Sequence, residues 1–376
     1  HVRSRRQRQM CIRDSVVGLR VPPTTIYDYP SAAGLAEHLG TAAVMENGAV
    51  AAVGFSEDDQ RLFASAAEDS SAHATFAIVS AGVRLAKGVV SMNDMWALLR
   101  SGVDGVRAMP EERQLEGARE RHFGGYFEQA PAMFDASFFG LSASEARTAD
   151  PQVRLTMTVA WEALEAAGLP IDSSIRRDDI GVYMGVMTQD YHDLLRASGI
   201  TELLVSQPRG AGPRLAYFMN FGGPNNTVET LCSSSLVAFH SAAIDIRAGR
   251  TRVAISGGTN VSLTNFVTSF YDGAGNLSSN GRCNTFDSRG DGLTRGEGVL
   301  TVVLESLDSM RERGRSEDTA LAVVLGSDVN HGGRSAGLAA PNGPAHQALI
   351  RQAQRNARVA PDAISHVELH GTGTAL

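Results

Sequence analysis

Val228-Glu229-Thr230-Leu231-Cys232-Ser233-Ser234-Ser235-Leu236-Val237-Ala238 joins two kinds of local pattern. Asn226 to Leu231 reads as a strand. Ser233 to Arg247 is rich in small and apolar residues and reads as a helix that Gly249 would close. The cysteine therefore falls at a strand-to-helix turn. Unpaired backbone N–H groups and the positive end of the helix dipole favour a thiolate there. A thiolate is the nucleophilic form of cysteine. The competing reading is a buried, inert thiol, since free cysteine is among the most buried residue types.

Working outward, the same alternation repeats along the chain. Apolar strands are predicted at Phe76–Val79, Ile180–Val186, Val253–Gly258, Val299–Glu305 and Ala320–Gly326. Helices are predicted at Asp94–Ser101, Asp150–Gly168 and Gly343–Ala357, with a loop and short helix over Met187–Leu195. Asp150 can cap its helix, Pro151 suits the first turn and Gly168 stops it. Leu155, Val159, Ala160 and Leu164 recur at helical spacing, and Trp161 reads as core. Strands alternating with helices predict an α/β fold with a mainly parallel sheet covered on both faces.

Far downstream, His366-Val367-Glu368-Leu369-His370-Gly371-Thr372-Gly373-Thr374 reads as a short strand running into a Gly/Thr turn. The glycines let backbone approach a ligand, and the threonines supply hydroxyls. His370 can donate a hydrogen bond to a substrate oxygen, or it can be a structural histidine at a strand end.

Together these stretches resemble the β-ketoacyl synthase (ketosynthase) domain of type I modular polyketide synthases, related to fatty-acid synthase condensing enzymes. Thr230 to Ala238 is similar to the family's TACSSSLVA elbow, and His370 to Thr374 is its HGTGT turn. Leu277 to Cys283 is similar to LSPDGRC. Phe286-Asp287, Asp291-Gly292 and Arg295-Gly296-Glu297-Gly298 are similar to FDxxxDGxxRGEG. Gly337 to Pro344 is similar to GLTAPNGP, Phe138 to Ser142 to FFGIS, and Asp150 to Leu155 to DPQQRL. The likeness covers roughly residues 74–376. It implies a thiolase-like layered fold (α/β/α/β/α), with the first half in residues 74–316 and the start of the second in 317–376.

The resemblance also implies the chemistry, a decarboxylative Claisen condensation. Cys232 would carry the acyl chain, and its backbone N–H would form half of an oxyanion hole. His370 would be one of two histidines that stabilise the enolate of a malonyl-type extender. Thr372 and Thr374 match positions that contact the phosphopantetheine arm of an acyl carrier protein. No cofactor is expected on this domain itself. Expected partners are the acyl carrier protein, neighbouring synthase domains and a second copy of the chain in a homodimer. That dimer would form through the strand before the nucleophile. A second active-site histidine and a lysine would lie beyond Leu376, so these 376 residues alone are expected not to condense. Alternatives are a non-elongating acyl-transfer domain, a scaffold domain or a fatty-acid condensing domain. Asn225 and Asn226 depart from the family's Pro-Ser, and Leu231 replaces a smaller residue beside the nucleophile.

Other candidates read as structural. His240, His331 and His346 are expected to be packed or surface histidines, and Cys283 a structural thiol. Asp291, Arg295 and Glu297 are expected to form one ion network. Met184, Met187 and Phe221 are candidate cavity-lining residues. No His/Cys/Asp cluster has metal-ligand spacing. No P-loop occurs, and no G-x-G-x-x-G opens a helix.

Upstream, Gly18 to Gly40 resembles the C-terminal end of an acyl carrier protein, without its phosphopantetheine serine. Residues 41–73 read as an Ala/Gly/Ser-rich linker, and the Arg-rich residues 1–17 as a non-native segment. The chain has 376 residues, 43% hydrophobic and 20% charged, a globular profile with room for a large core. A net charge of −7 does not suggest a nucleic-acid surface. Three cysteines, at 11, 232 and 283, fit a reducing cytoplasm better than a disulfide framework. No apolar run approaches the roughly 18 residues of a membrane helix.

Overall fold

A computed structural model describes residues 76–113, 122–128, 134–169, 175–200, 207–335, 337 and 340–374. All belong to one compact unit, Ser65–Leu376. The N-terminal segment, the carrier-protein-like stretch 18–40 and the linker 41–73 lie outside the described residues, as do Leu338 and Ala339.

In chain order the strands are β1 Phe76–Leu85, β2 Arg107–Ala108, β3 Phe123–Gly125, β4 Ile180–Gly185, β5 Asn225–Val228, β6 Val253–Asn260, β7 Arg295–Gly296, β8 Gly298–Ser306 and β9 Ala322–Val324. The helices are α1 Met92–Ser101, α2 Ala143–Thr148, α3 Pro151–Ala166, α4 Asp190–Ala197, α5 Ala211–Met219, α6 Ser234–Arg247, α7 Phe266–Gly273, α8 Leu307–Glu312 and α9 Gly343–Ala357. Six strands form the main sheet, in the order β5-β4-β6-β8-β1-β9, and β2, β3 and β7 form a small second sheet.

The expectation of a mainly parallel sheet is corrected. β5, β4 and β6 are parallel to one another, but β8 is antiparallel to both β6 and β1, and β9 is antiparallel to β1. The long excursion between β6 and β8 contains only α7 as a helix, so β8 returns alongside β6 in the opposite direction instead of crossing over.

Strand periodicity sorts side chains to the two faces. Val182 and Met184 of β4, Val253 and Ile255 of β6 and Val303 of β8 point to one side. They pack there with Ala160, Ala163 and Leu164 of α3 and Leu215 of α5. Tyr183, Ala254, Leu304 and Phe76 point to the other side, against Ala238, Ala242, Ala243 and Ile246 of α6. Burial of these two apolar layers is the main stabilising term. The small residues Ala238 and Ala242, four apart on one face of α6, bring that helix close to the sheet. The phenol of Tyr183 donates to Asp245 at 2.5 Å across this seam.

Local signals behave as their chemistry predicts at α3. The Asp150 side-chain Oδ1 accepts the Gln152 N–H at 2.7 Å, Pro151 occupies the first turn, and Gly168 follows with φ +62°. Trp161 is partly buried against both α3-side clusters. β1 runs past Val79 to Leu85. Ser80 donates to the Ala163 carbonyl at 2.5 Å, and a Cβ on Gly82 would overlap the Val159 carbonyl, so this strand lies directly on α3. The expected strand at His366–His370 does not form. Its backbone pairs with no described strand, and Val367 and Leu369 are exposed. No helix among the described residues is long and apolar enough to cross a membrane.

Candidate active site

The nucleophile candidate sits where strand ends converge. β5 stops at Val228, three residues before the end predicted from sequence, because the backbone leaves the ladder at Glu229. Leu231 then adopts φ +58°, a left-handed conformation that is uncommon for a branched residue. Leu231–Ser233 forms a single 3₁₀ turn that merges into α6. Cys232 is on this turn, exposed, with the helix starting two residues later.

The serines after Cys232 tie the turn. Ser234 Oγ accepts the Thr230 N–H at 2.8 Å and donates to the Leu231 carbonyl at 2.7 Å. Ser233 Oγ donates to the Thr230 carbonyl at 2.9 Å. These bonds hold Leu231 in its unfavourable conformation, as a strained functional turn requires. Glycines form the bed beneath. An added Cβ at Gly185, the end of β4, would lie 2.5 Å from Ser235 N, and one at Gly258 would lie 2.7 Å from Ser235 Cβ. Only glycine lets β4 and β6 approach the helix start so closely.

Above the turn is a cavity of about 770 Å³. Cys232, His370 and Thr372 all line it, so the structure brings together residues far apart in the sequence. Thr374 is not on the lining; its hydroxyl lies 3.4 Å from that of Thr372, one step behind it. Leu85, Leu231, Leu236, Phe239 and Val299 give the cavity apolar walls. Of the three lining residues predicted, only Met187 is there. Met184 is fully buried in the α3-side core and Phe221 packs against that same core, so both are turned away from the cavity.

The Gly/Thr turn reaches the cavity by docking on the loop at 283–285. Thr285 donates to the Gly371 carbonyl at 2.5 Å, and a Cβ on Gly373 would overlap the Cys283 carbonyl. Both glycines are left-handed, at φ +50° and +64°. Cys283 has a structural part in this contact: its Sγ accepts the Thr294 N–H at 3.3 Å. It also lines the cavity.

The expected network of Asp291, Arg295 and Glu297 is corrected, because each has its own partners. Asp291 accepts from the Ser279 N–H and hydroxyl. Glu297 is buried and pairs with Arg113 at 2.7 Å while accepting the N–H groups of Phe127 and Ser262. Arg295 donates to Thr268 at 2.8 Å and lies over the Tyr271 ring. His240 is a packed histidine. Its Nδ1 lies 2.9 Å from the Ser327 hydroxyl, and burial holds its pKa below the ordinary value. His331 is exposed and accepts the Gly333 N–H. His346 is exposed on α9.

Tyr271 carries no signal in the sequence. It lines the cavity from α7, as Cys232 does from its turn. Burial first, and then the neighbouring Cys232, raise its pKa above the ordinary phenol value. No local spacing links position 271 to 232, so only the folded structure places them together.

Known proteins fit this geometry. Residues 74–309 match the model of the beta-ketoacyl synthase N-terminal domain, and residues 321–376 that of its C-terminal domain. The chain is 38% identical over 390 residues to polyketide synthase GfsA of Streptomyces halstedii, covering 97% of the chain and 5% of that protein. It is 36% identical over 378 residues to erythronolide synthase EryA2 of Saccharopolyspora erythraea, covering 96% and 10%. The chain thus spans a tenth or less of the length of these relatives. Among solved structures, the oxazolomycin ketosynthase domain OzmH KS7 of Streptomyces albus JA3453 superposes with a TM-score of 0.73 at 34% identity, over 81% of this chain and 54% of that one. The ketosynthase from module 6 of the Bacillus subtilis 168 bacillaene synthase gives 0.72 at 29% identity, over 80% and 51%. A thiol on a strained strand-to-helix turn, a Gly/Thr turn facing it across one cavity and these matches agree: the chain belongs to the β-ketoacyl synthase family, with the thiolase-like fold of polyketide synthase ketosynthase domains.

Proposed function

We propose that Cys232 carries the growing acyl chain and that His370 supports its condensation with a malonyl-type extender. The observation that carries this reading is the shared cavity of Cys232, His370 and Thr372. In loading, Sγ attacks the carbonyl carbon of an acyl thioester, and the carrier thiol leaves with a proton. The Cys232 backbone N–H faces the oxygen that becomes negative. The extender then loses CO₂. The electron pair of the broken C–C bond delocalises onto its thioester oxygen, to which His370 donates. The enolate carbon attacks the Cys232 thioester, a C–C bond forms, and the C–S pair returns to Sγ.

The arm that delivers both partners is the phosphopantetheine of an acyl carrier protein, held at the Gly/Thr turn by Thr372, with the Thr374 hydroxyl supporting Thr372 from behind. The match to GfsA covers 97% of the chain and 5% of that protein, which supports a place within a larger synthase, and residues 18–40, by their resemblance, would be the end of a preceding carrier domain. β5 is the outer strand of the main sheet among the described residues. An unpaired outer strand is a template for a second copy, which supports a homodimer formed through Asn225–Val228. A free thiol nucleophile works in a reducing compartment, which supports the cytoplasm.

The test uses the full-length protein with an acyl thioester and a carrier-bound extender. Cys232→Ala should abolish covalent loading, with the adduct in the parent protein mapping to the Cys232 peptide. His370→Ala should load normally and lose decarboxylation and product. An adduct on Cys283 refutes the assignment of the nucleophile. Loading lost and condensation kept in the His370 variant refutes the division of roles. Loading with no decarboxylation by the parent protein identifies a non-elongating domain.

A further inference from the structure

Three observations converge on Tyr271. It lines the cavity together with Cys232, and the thiol is near enough to help raise the pKa of its phenol. Its position is fixed from behind by Arg295, which is almost fully buried, places its guanidinium 5.7 Å from the ring centroid and donates to Thr268 at 2.8 Å. Thr268 is completely buried one helical turn before Tyr271 on α7, so Arg295 grips two residues of the same face. Phe270 adds an edge-on ring contact at 5.9 Å. The tyrosine is therefore set by packing and an ion, not left to swing in the cavity.

We propose that Tyr271 is a further catalytic residue, whose phenol O–H donates a hydrogen bond to the Cys232 sulfur whenever that sulfur carries negative charge. This rests on Cys232 being the nucleophile. The charge exists at two moments. The first is before loading, when the free thiolate attacks. The second is during condensation, when the C–C bond forms, the C–S bond breaks and its electron pair returns to Sγ. The phenol proton stays on Tyr271 throughout; it is shared and not transferred. A phenol held above its ordinary pKa remains a donor at neutral pH, which the role requires. Once the thiol is acylated the charge is gone, so the bond favours departure of the product over retention of the acyl chain.

The test is Tyr271→Phe in the full-length protein, which keeps the ring under Arg295 and removes only the hydroxyl. Alkylation of Cys232 by iodoacetamide, followed on its peptide by mass spectrometry, should slow about tenfold or more at pH 7, the loss of one hydrogen bond to a charged group. At about pH 9.5, where a thiol ionises without help, the two rates should converge. Single-turnover transfer from preloaded Cys232 should slow by a similar factor, with the KM for the carrier-bound extender unchanged. Equal slowing at both pH values would show lost packing and overturn the proposal. So would alkylation and transfer at the parent rates. If the parent protein is alkylated and loaded on Cys283 instead, the nucleophile assignment itself fails, a result distinct from either.

Discussion

Replacing Gly185 with alanine tests whether the glycine bed positions the nucleophile. The new Cβ would lie 2.5 Å from the backbone N of Ser235, with Ser234 C and Ser235 Cα at 2.6 and 2.8 Å. All three are backbone atoms, so no side chain can rotate away. Ordinary contact begins at 3.4 Å, so the start of α6 must retreat by roughly 0.9 Å, and a misplacement of that order costs about a hundredfold in rate. Overpacking of this kind also costs about 1–3 kcal/mol of stability. Cys232 lies three residues before Ser235, on the turn that Ser234 ties to Thr230 and Leu231, and it must move with the helix start. Acyl loading in the full-length protein, followed by mass spectrometry against time, should fall about a hundredfold while the protein remains folded by circular dichroism. Gly105→Ala, where an added Cβ meets nothing within 4 Å, is the control and should load at the parent rate. Normal loading by Gly185→Ala would show that the close approach of β4 to α6 does not position the thiol.

Two further outcomes follow from the geometry. Gly373→Ala places a Cβ on the Cys283 carbonyl and forces a side chain into φ +64°, so it should displace the Gly/Thr turn. Loading of Cys232 should persist and product formation should fall at least about tenfold in a product assay, since His370 rides on that turn. Asp150→Asn addresses pH. Burial, opposed by Gln152 and Arg154 and aided by Asp190, pushes the Asp150 carboxyl from 3.8 to about 7. The folded protein then holds a proton that the unfolded chain releases. Its stability should fall as pH rises from about 4 to about 7 and level off above that, by at most roughly 4 kcal/mol. The amide of the variant keeps the cap oxygen without the charge, so denaturant unfolding at pH 5 and pH 8 should show the variant gaining on the parent at the higher pH. An identical pH dependence in both would refute the assignment.

Much of the fold is legible in sequence because its signals are local. Asp150-Pro151 and Gly168 bracket α3 through cap chemistry that needs no tertiary partner. Gly343–Ala357 carries its apolar and polar faces in its own spacing, and the helix forms over that range. Strand direction is not local. Nothing within Val299–Glu305 says that it will run antiparallel to Val253–Gly258, since the same alternation serves either direction. The end of β5 departs from the sequence reading for a related reason. Thr230 and Leu231 suit a strand by local pattern, yet the hydroxyl of Ser234 takes the Thr230 N–H and pulls the backbone off the ladder.

The site divides along the same line. Cys232 and His370 are legible because each sits in a recognisable turn whose glycines and serines announce an unusual backbone. Tyr271 and the partners of Glu297 are not, because they depend on residues far away in sequence. Glu297 reaches Arg113 and the N–H of Phe127, and it bonds the N–H of Ser262 just beyond β6. That buried carboxylate, set between β7 and β8, joins three separate stretches of chain beside the cavity. Arg295, two residues earlier, holds α7 and therefore Tyr271. The Arg-Gly-Glu-Gly stretch thus serves two neighbours at once. Arg295 and Glu297 each reach a different partner, Thr268 on α7 and Arg113. An ion pair between Arg295 and Glu297 would have satisfied both residues and left the wall of the cavity unanchored.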